Sequence, residues 1–275
     1  MTAGNPRGVK HVPRKRFGQN FLVSPGVVAK IISAVAPQHN EIFVEIGPGL
    51  GALTEPLLAR LAHLHVVEID RDLIARLHER FGPGRLTIHE GDALKFDFGG
   101  LTGKEEAKPS LRVVGNLPYN ISTPLLFHLA EYADQICDMH FMLQKEVVDR
   151  MVSPPGGPEY GRLSVMLQFR YEMERLFLVP PGAFDPAPKV SSAIVRMTPR
   201  PVSALAAVDT AMFAKVVAAA FGQRRKMLRN TLRAMLTEPE LAVLDIEPTA
   251  RAEELCVAEF VRIANAVSVR DGSVI

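Results

Sequence analysis

Hydrophobic and polar positions follow two different periods in the first half of the chain. Short apolar runs rich in β-branched residues predict buried strands, whereas apolar residues every three or four positions predict helices. The predicted strands are 41–47, 64–70, 85–92, 111–119 and 139–144, and helices are predicted at 53–64, 73–81 and 122–132. Strands that alternate with helices are typical of a parallel sheet with helices on both faces.

The pattern changes after the fifth predicted strand. Two further strand-like runs, 176–181 and 191–199, are separated by a loop rich in proline and glycine. They predict antiparallel strands at one edge of the sheet. Beyond Pro199 and Pro201 the helical period returns, and helices are predicted at 208–221, 224–236 and 257–268.

These patterns divide the chain into three parts. We expect an α/β domain with a mostly parallel sheet over 17–202, a small all-helical domain over 203–275, and a basic tail over 1–16. The length of 275 residues fits two unequal domains.

The composition excludes several classes of protein. Hydrophobic residues make up 47% of the chain and charged residues 23%, as in an ordinary globular protein. No apolar run reaches the ~18 residues that a membrane helix needs, and the N-terminus lacks the apolar segment of a secretory signal. Cys137 and Cys256 form no C-x-x-C motif, and the histidines show no H-E-x-x-H spacing. We therefore expect a cytoplasmic protein without a membrane span, a disulfide framework or a metal site.

Basic residues are concentrated in two regions, although the net charge is only +2. No acidic residue precedes Glu41, while six lysines and arginines do. A second cluster without acids follows Phe221 and consists of Arg224, Arg225, Lys226, Arg229 and Arg233. Such clusters favour a polyanionic partner such as nucleic acid, although a tail and a helix face exposed to water explain them equally well.

A glycine-rich loop, E-I-G-P-G-L-G at 45–51, follows the first strand and opens the first helix. Glycines there let the backbone turn tightly and approach a ligand. Glu68, Asp92 and Asn116 end the next three strands, so all three lie where doubly wound sheets bind ligands. Glu68 can accept hydrogen bonds from ribose hydroxyls, and Asp92 can accept one from an adenine amino group. An NAD enzyme would use the loop and Glu68 too, but it would not predict the acid at Glu45.

The tetrapeptide Asn116-Leu117-Pro118-Tyr119 is the most specific motif in the chain. The exocyclic amine of adenine is a poor nucleophile because its lone pair is delocalised into the ring. An asparagine oxygen and a backbone carbonyl can each accept one N–H bond, the proline fixes the turn, and the tyrosine offers a flat face to the base. The motif therefore favours N-methylation of a planar amine, whereas its structural alternative is a turn that ends a strand.

With these motifs in this order, the chain resembles the small-subunit (16S) ribosomal RNA adenine-N6,N6-dimethyltransferases of the KsgA type. The resemblance covers nearly the whole chain. Its motifs are at 16–22, 45–51, 67–70, 91–93, 115–120, 144–146, 160–163, 181–190 and 221–226.

The resemblance implies a Rossmann-like class I methyltransferase domain followed by a small helical domain. It also implies S-adenosyl-L-methionine as the methyl donor and adenines of small-subunit ribosomal RNA as acceptors, with N6,N6-dimethyladenine as the product. The partner would be a pre-30S particle in small-subunit biogenesis, and we expect a monomer because nothing in the sequence demands a dimer.

Residue roles follow from the same resemblance. Asn20 and Leu22 would line the methionine end of the donor, Gly47 would contact it from the loop, Glu68 its ribose and Asp92 its adenine. Asn116, Leu117, Pro118, Tyr119 and Phe184 would form the catalytic site, with Tyr119 and Phe184 as the aromatic pair that holds the target adenine. The residues themselves point to Gly47, Glu68, Asp92, Asn116 and Tyr119, but not to Asn20, Leu22 or Phe184.

Three arginines in the basic C-terminal cluster recur every four residues. On a helix, Arg225, Arg229 and Arg233 would form one stripe that offers guanidinium groups to RNA phosphates. The alternative is a helix face that is merely exposed to water.

Three other functions remain open at this point. A DNA adenine or protein glutamine N-methylase would use a related Asn-x-Pro-Tyr motif. An RNA-binding ribosome-assembly factor would need no chemistry, and an NAD-dependent oxidoreductase would need only the glycine loop and an acid.

Overall fold

A computed structural model describes residues 19–82, 84–102, 109–201, 209–223, 225–270 and 272. The predicted basic tail at 1–16 and the predicted domain boundary at 202–203 lie outside or at the edge of these residues. No helix among the described residues is long and apolar enough to cross a membrane.

Seven of the strands form one sheet. The strands are β1 (Phe21–Leu22), β2 (Ile42–Ile46), β3 (Leu64–Glu68), β4 (Leu86–Glu90), β5 (Leu111–Asn116), β6 (Ile136–Gln144), β7 (Tyr171–Val179), β8 (Phe184–Asp185) and β9 (Ser192–Pro199). The order across the large sheet is β4-β3-β2-β5-β6-β9-β7. The first five strands in that order are parallel, and β9 is antiparallel to both of its neighbours. The separate pair β1 and β8 is antiparallel.

Helices connect the strands and follow the sheet. They are α1 (Pro25–Val35), α2 (Thr54–Leu58), α3 (Arg71–Arg80), α4 (Ser122–Ala130), α5 (Lys145–Val152), α6 (Arg162–Arg170), α7 (Thr210–Ala220), α8 (Leu228–Thr231), α9 (Glu238–Val243) and α10 (Val257–Arg270). Several begin at a side chain that accepts a backbone N–H bond, as the sequence of their first turns requires. Such caps are Ser24 before α1, Asp70 before α3 and Asp209 before α7.

Most of the predicted elements are confirmed, but the helix predicted at 224–236 is wrong. Within the described stretch 225–236 only α8 is helical, for four residues. The backbone N–H groups of Leu228 and Arg229 donate to the carbonyls of Ala250 and Pro248, and Met227 bridges to Arg251. These tertiary bonds with the 248–251 segment replace the local bonds of a longer helix.

The sheet buries an apolar core on each face. One core packs α4, α5 and one side of α6 against the sheet, and the other packs α1, α2 and α3 against the opposite face. A third core joins α7 to α10 and includes Val165 and Phe169 of α6. Because Leu163 and Leu167 of the same helix belong to the sheet core, α6 is shared between the sheet and the later helices. The helical segment therefore has its own core, while the division into two domains stays a prediction.

The parallel strands determine where a ligand can bind. β2, β3, β4 and β5 run in the same direction, so their carboxyl ends at Ile46, Glu68, Glu90 and Asn116 meet at one edge of the sheet. The loops that follow these strands surround a cleft at that edge. Ligands bind at this edge in doubly wound sheets.

Candidate active site

The cleft collects nearly all of the residues that the sequence predicts for the site. It is formed by the segment 19–22 and by the loops after β2, β3, β4 and β5. Of the predicted residues, it is lined by Asn20, Leu22, Gly47, Glu68, Asp92, Asn116, Leu117, Pro118 and Tyr119. Phe184 is not among the described residues that line it.

The glycine loop needs its glycines for two reasons. Gly47, Gly49 and Gly51 have φ values of +66°, +59° and +82°, which residues with a side chain rarely adopt. In addition, a Cβ atom on Gly49 would lie 3.2 Å from the ring of Phe21. Strand β1 therefore packs directly on the loop, and the absence of side chains at the three glycines leaves the loop backbone there open to a ligand.

Glu68 is fixed at the end of β3 by backbone donors. Its Oε1 atom accepts hydrogen bonds from the N–H groups of Ile69 and Asp70, each at 2.9 Å. Its Oε2 atom lies 3.4 Å from the N–H nitrogen of Gly49 in the glycine loop. Burial raises the pKa of Glu68, and the backbone N–H bonds oppose that shift. The carboxyl group thus occupies a defined position between the strand end and the loop.

Glu45 is a second buried acid in the cleft lining. It lies at the end of β2, is 1% exposed, and accepts a 2.6 Å hydrogen bond from the hydroxyl of Thr54. Burial raises its pKa to about 8, the hydroxyl of Thr54 lowers it, and the nearby Glu68 raises it further. Its place in the glycine-loop motif argues against an NAD enzyme, but the sequence pattern indicates no role for it.

Asp92 shapes the loop after β4. Its Oδ1 atom accepts a 3.0 Å hydrogen bond from the N–H of Leu94, which closes a local turn. The residue is half-buried at the rim of the cleft, so it lies on the same ligand-binding edge as Glu68.

Asn116 joins the end of β5 to the segment before β1. Its Nδ2 atom donates a 3.0 Å hydrogen bond to the backbone carbonyl of Asn20. Because the amide nitrogen is engaged in this bond, the Oδ1 atom is the group that the side chain presents as an acceptor. The next residue, Leu117, donates its N–H to the carbonyl of Met142 on β6 at 3.2 Å, so the motif is held from both sides.

Tyr119 is held by a residue that the sequence analysis missed. Its hydroxyl lies 2.9 Å from the hydroxyl of Ser192, which is fully buried at the start of β9. Its carbonyl accepts a 3.1 Å bond from Ser122 at the start of α4. Ser192 lies in the strand predicted at 191–199, but nothing in a strand pattern indicates which tyrosine a serine will meet 73 residues away.

Phe184 lies behind the cleft wall. It is 5% exposed, belongs to the core packed against α1, and pairs through β8 with Leu22 of β1. In this structure it supports the segment that carries Leu22, and its expected contact with a target base stays a prediction.

The three arginines expected to bind RNA do not form a helical stripe. Arg225 and Arg233 lie in turns and are exposed, and only Arg229 lies on α8. The Nη1 atom of Arg229 is 3.6 Å from a carboxylate oxygen of Glu238. The prediction that these arginines form one face of a helix is therefore wrong, although they remain close together in the sequence.

Among the described residues, no group of three or more histidine, cysteine or acidic side chains is suited to hold a metal ion.

Solved structures with this architecture define the class of protein. A dimethyladenosine transferase from Plasmodium falciparum matches 91% of this chain and 98% of its own length, with a TM-score of 0.78 and 26% identity. The 23S rRNA methyltransferase ErmE matches 90% of this chain and 100% of its own length, with a TM-score of 0.66 and 24% identity, and its likeness concerns the fold. The fold is that of the Rossmann-like class I methyltransferases, as predicted.

Sequence relatives narrow the class to a family. A family model described as ribosomal RNA adenine dimethylase matches residues 10–268. The chain is 64% identical to a ribosomal RNA small subunit methyltransferase A from Aromatoleum aromaticum, over 95% of this chain and 96% of that protein. A protein of the same name from Dechloromonas aromatica is 61% identical over 94% of this chain and 99% of its own length. The chain belongs to the ribosomal RNA adenine dimethylase family.

These comparisons confirm the predicted family and the prediction of a methyltransferase enzyme. They also decide against an NAD-dependent oxidoreductase and against methylases of DNA or of protein glutamine, since the matched family is defined by RNA adenine dimethylation.

Replacing Gly115 with alanine tests the packing that brings the two halves of the cleft together. A Cβ atom there would lie 2.7 Å from the carbonyl oxygen of Ile46, so strands β2 and β5 would have to separate. We expect Gly115→Ala to lower the free energy of unfolding in urea by about 1–3 kcal/mol.

Gly26→Ala is the matched control, because a Cβ atom on Gly26 in α1 meets nothing within 4 Å. It should leave the free energy of unfolding unchanged or raise it by roughly 0.5–1 kcal/mol. Equal stability of Gly115→Ala and the wild type would contradict the argument.

Proposed function

We propose that this protein transfers methyl groups from S-adenosyl-L-methionine to the N6 atoms of adenines in small-subunit ribosomal RNA, giving N6,N6-dimethyladenine. Relatives more than 60% identical over almost their whole length carry the name ribosomal RNA small subunit methyltransferase A. The observation that carries the proposal is the side chain of Asn116, which is held in the cleft with its carbonyl oxygen available as an acceptor.

The described residues fit the methyl donor. Glu68 has a carboxylate oxygen beside the glycine loop for a ribose hydroxyl, and Asp92 lies on the neighbouring rim for the adenine amine. Gly47 faces open space on the loop, because an added Cβ atom would meet only the carbonyl oxygen of Asn116, at 3.9 Å. Its lack of a side chain keeps that space free for the donor. Asn20 and Leu22 close the remaining side. When bound, the donor would supply a methyl group from its positively charged sulfur. The acceptor amine would displace that sulfur in line.

The chain contributes alignment of the acceptor amine. The Oδ1 atom of Asn116 and the backbone carbonyl of Leu117 each accept one N–H bond from the adenine, which localises the nitrogen lone pair. Tyr119 offers its ring to the base, and Ser192 holds that ring in place through the hydroxyl pair. Correct alignment of this kind accounts for several kcal/mol of a reaction barrier. Water removes the proton of the methylated ammonium, so the site needs no strong base.

An adenine inside a duplex cannot enter the cleft, so the target must be unpaired or flipped out. We assign phosphate contacts to Arg225, Arg229 and Arg233, because two of them are exposed and the third is only half-buried. The substrate is then ribosomal RNA within a pre-30S particle, which the protein meets in the cytoplasm as a monomer.

Asn116→Ala tests the assignment of the acceptor. It removes the oxygen that holds the amine and also the hydrogen bond to the carbonyl of Asn20, and it leaves Pro118 and Tyr119 in place. We expect the methylation rate to fall on the order of 10²–10³-fold at saturating donor, while RNA affinity, which rests on phosphate contacts, stays near that of the wild type. Mass spectrometry of digested RNA measures mono- and dimethyladenine.

Asn116→Asp is the finer comparison for the same position. A carboxylate keeps the acceptor oxygens but cannot donate to the carbonyl of Asn20, so it should retain more activity than alanine and less than the wild type. Near-wild-type dimethylation by Asn116→Ala would show that this site is wrongly assigned.

Neutralising Arg225, Arg229 and Arg233 together tests the RNA surface. Each lost phosphate contact should reduce the slope of log affinity against log salt by about 0.7–0.9. Donor binding should not change, since none of the three lines the cleft. A triple glutamine variant that keeps the wild-type salt slope would show that these side chains are only exposed to water.

A further inference from the structure

The cleft holds a buried acid to which the proposed reaction gives no task. Glu45 lines the cleft with 1% of its surface exposed, and only 7% of Glu68 is exposed beside it. Two carboxyl groups in one buried site repel each other when both are charged, so at least one of them favours its protonated form.

The charged groups around Glu45 are mostly of the same sign. Glu68 faces it from β3, and Asp92 lies across the cleft on the loop after β4. Among the described residues, no lysine or arginine lines the cleft. Arg80, which donates to the carbonyl of Leu50 in the glycine loop, lies outside the cleft and pairs with Glu55. A cation that enters the cleft therefore meets carboxyl groups and no lysine or arginine of the described lining.

Burial keeps Glu45 protonated at neutral pH, because it raises the pKa to about 8. A positive charge in the cleft favours the ionised form of the same group and lowers that pKa. The product has the same ammonium and carboxylate groups at its methionine end but an uncharged sulfur, so it lowers that pKa less than the donor does.

We propose that Glu45 makes the cleft discriminate between the positively charged methyl donor and its neutral thioether product. Glu45 loses its proton to solvent when the donor binds, and it regains a proton from solvent after methyl transfer, when the product remains in the cleft. This inference rests on the proposed function. Dimethylation uses two donors for each adenine, so the product must be exchanged for a fresh donor between transfers. A residue that weakens the binding of the product relative to the binding of the donor favours that exchange.

Calorimetric titrations with S-adenosylmethionine and S-adenosylhomocysteine test the proposal. Near pH 7, in two buffers with different heats of ionisation, the donor should release up to about one proton more than the product. Because the free acid has a raised pKa, donor affinity should increase as the pH rises towards 8 and level off above it. The preference for donor over product should grow on the order of tenfold between about pH 6.5 and about pH 8.5.

Glu45→Gln separates the titration of this residue from the titration of the ligands themselves. Glutamine keeps the size of the side chain and an oxygen for the hydroxyl of Thr54, but it cannot ionise. The variant should lose the difference in proton release and most of the pH dependence of the preference. Glu172→Gln makes the same substitution at an exposed position of β7, on the far edge of the sheet, and should change neither.

Equal proton release by the two ligands in the wild type would overturn the inference, and that measurement needs no variant. A Glu45→Gln protein that retains the wild-type difference would also overturn it. Failure of both ligands to bind would instead overturn the proposed function, and this inference with it.

Discussion

One side-chain hydrogen bond, from the amide of Asn116 to the carbonyl of Asn20, joins the parts of this site. It ties the end of β5 to the segment that precedes β1. That segment places Phe21 against Gly49, and its next residue, Leu22, pairs with Phe184. The cleft is therefore closed by a piece of chain that is distant in sequence. The same bond determines which atom of the Asn116 amide is available to a substrate.

The site combines precise backbone placement with unfavourable burial of acids. Glu68 is held by backbone N–H groups that partly offset its loss of hydration, whereas Glu45 has one short bond from a hydroxyl. Burying a carboxyl group disfavours its charged form unless a partner compensates. A cleft of this kind suits a ligand that carries the missing positive charge. The arrangement links the electrostatics of the folded protein to the chemistry of a sulfonium donor.

Much of this molecule is predictable from its sequence because parallel strands and their loops have strong local signals. Glycines at 47, 49 and 51 predict the tight loop, and the strand ends predict that Glu68, Asp92 and Asn116 meet at one edge. Contacts between distant segments leave no such signal. The bond between Ser192 and Tyr119 depends on how β9 returns to the sheet, and the position of Phe184 beside Leu22 depends on how β8 pairs with β1. The helix predicted at 224–236 failed for the same reason, since residues 248 and 250 accept the backbone N–H bonds of Arg229 and Leu228.

The central claim is that the cleft methylates the exocyclic amine of adenine in small-subunit ribosomal RNA. The most direct measurement incubates the wild-type protein with unmethylated small-subunit particles and S-adenosylmethionine carrying a labelled methyl group, and then identifies the labelled nucleosides by mass spectrometry. The account predicts label in N6-methyladenosine and N6,N6-dimethyladenosine, with the dimethylated form accumulating. Label on another base or another atom of adenine, or no transfer by protein that binds the donor, would contradict it.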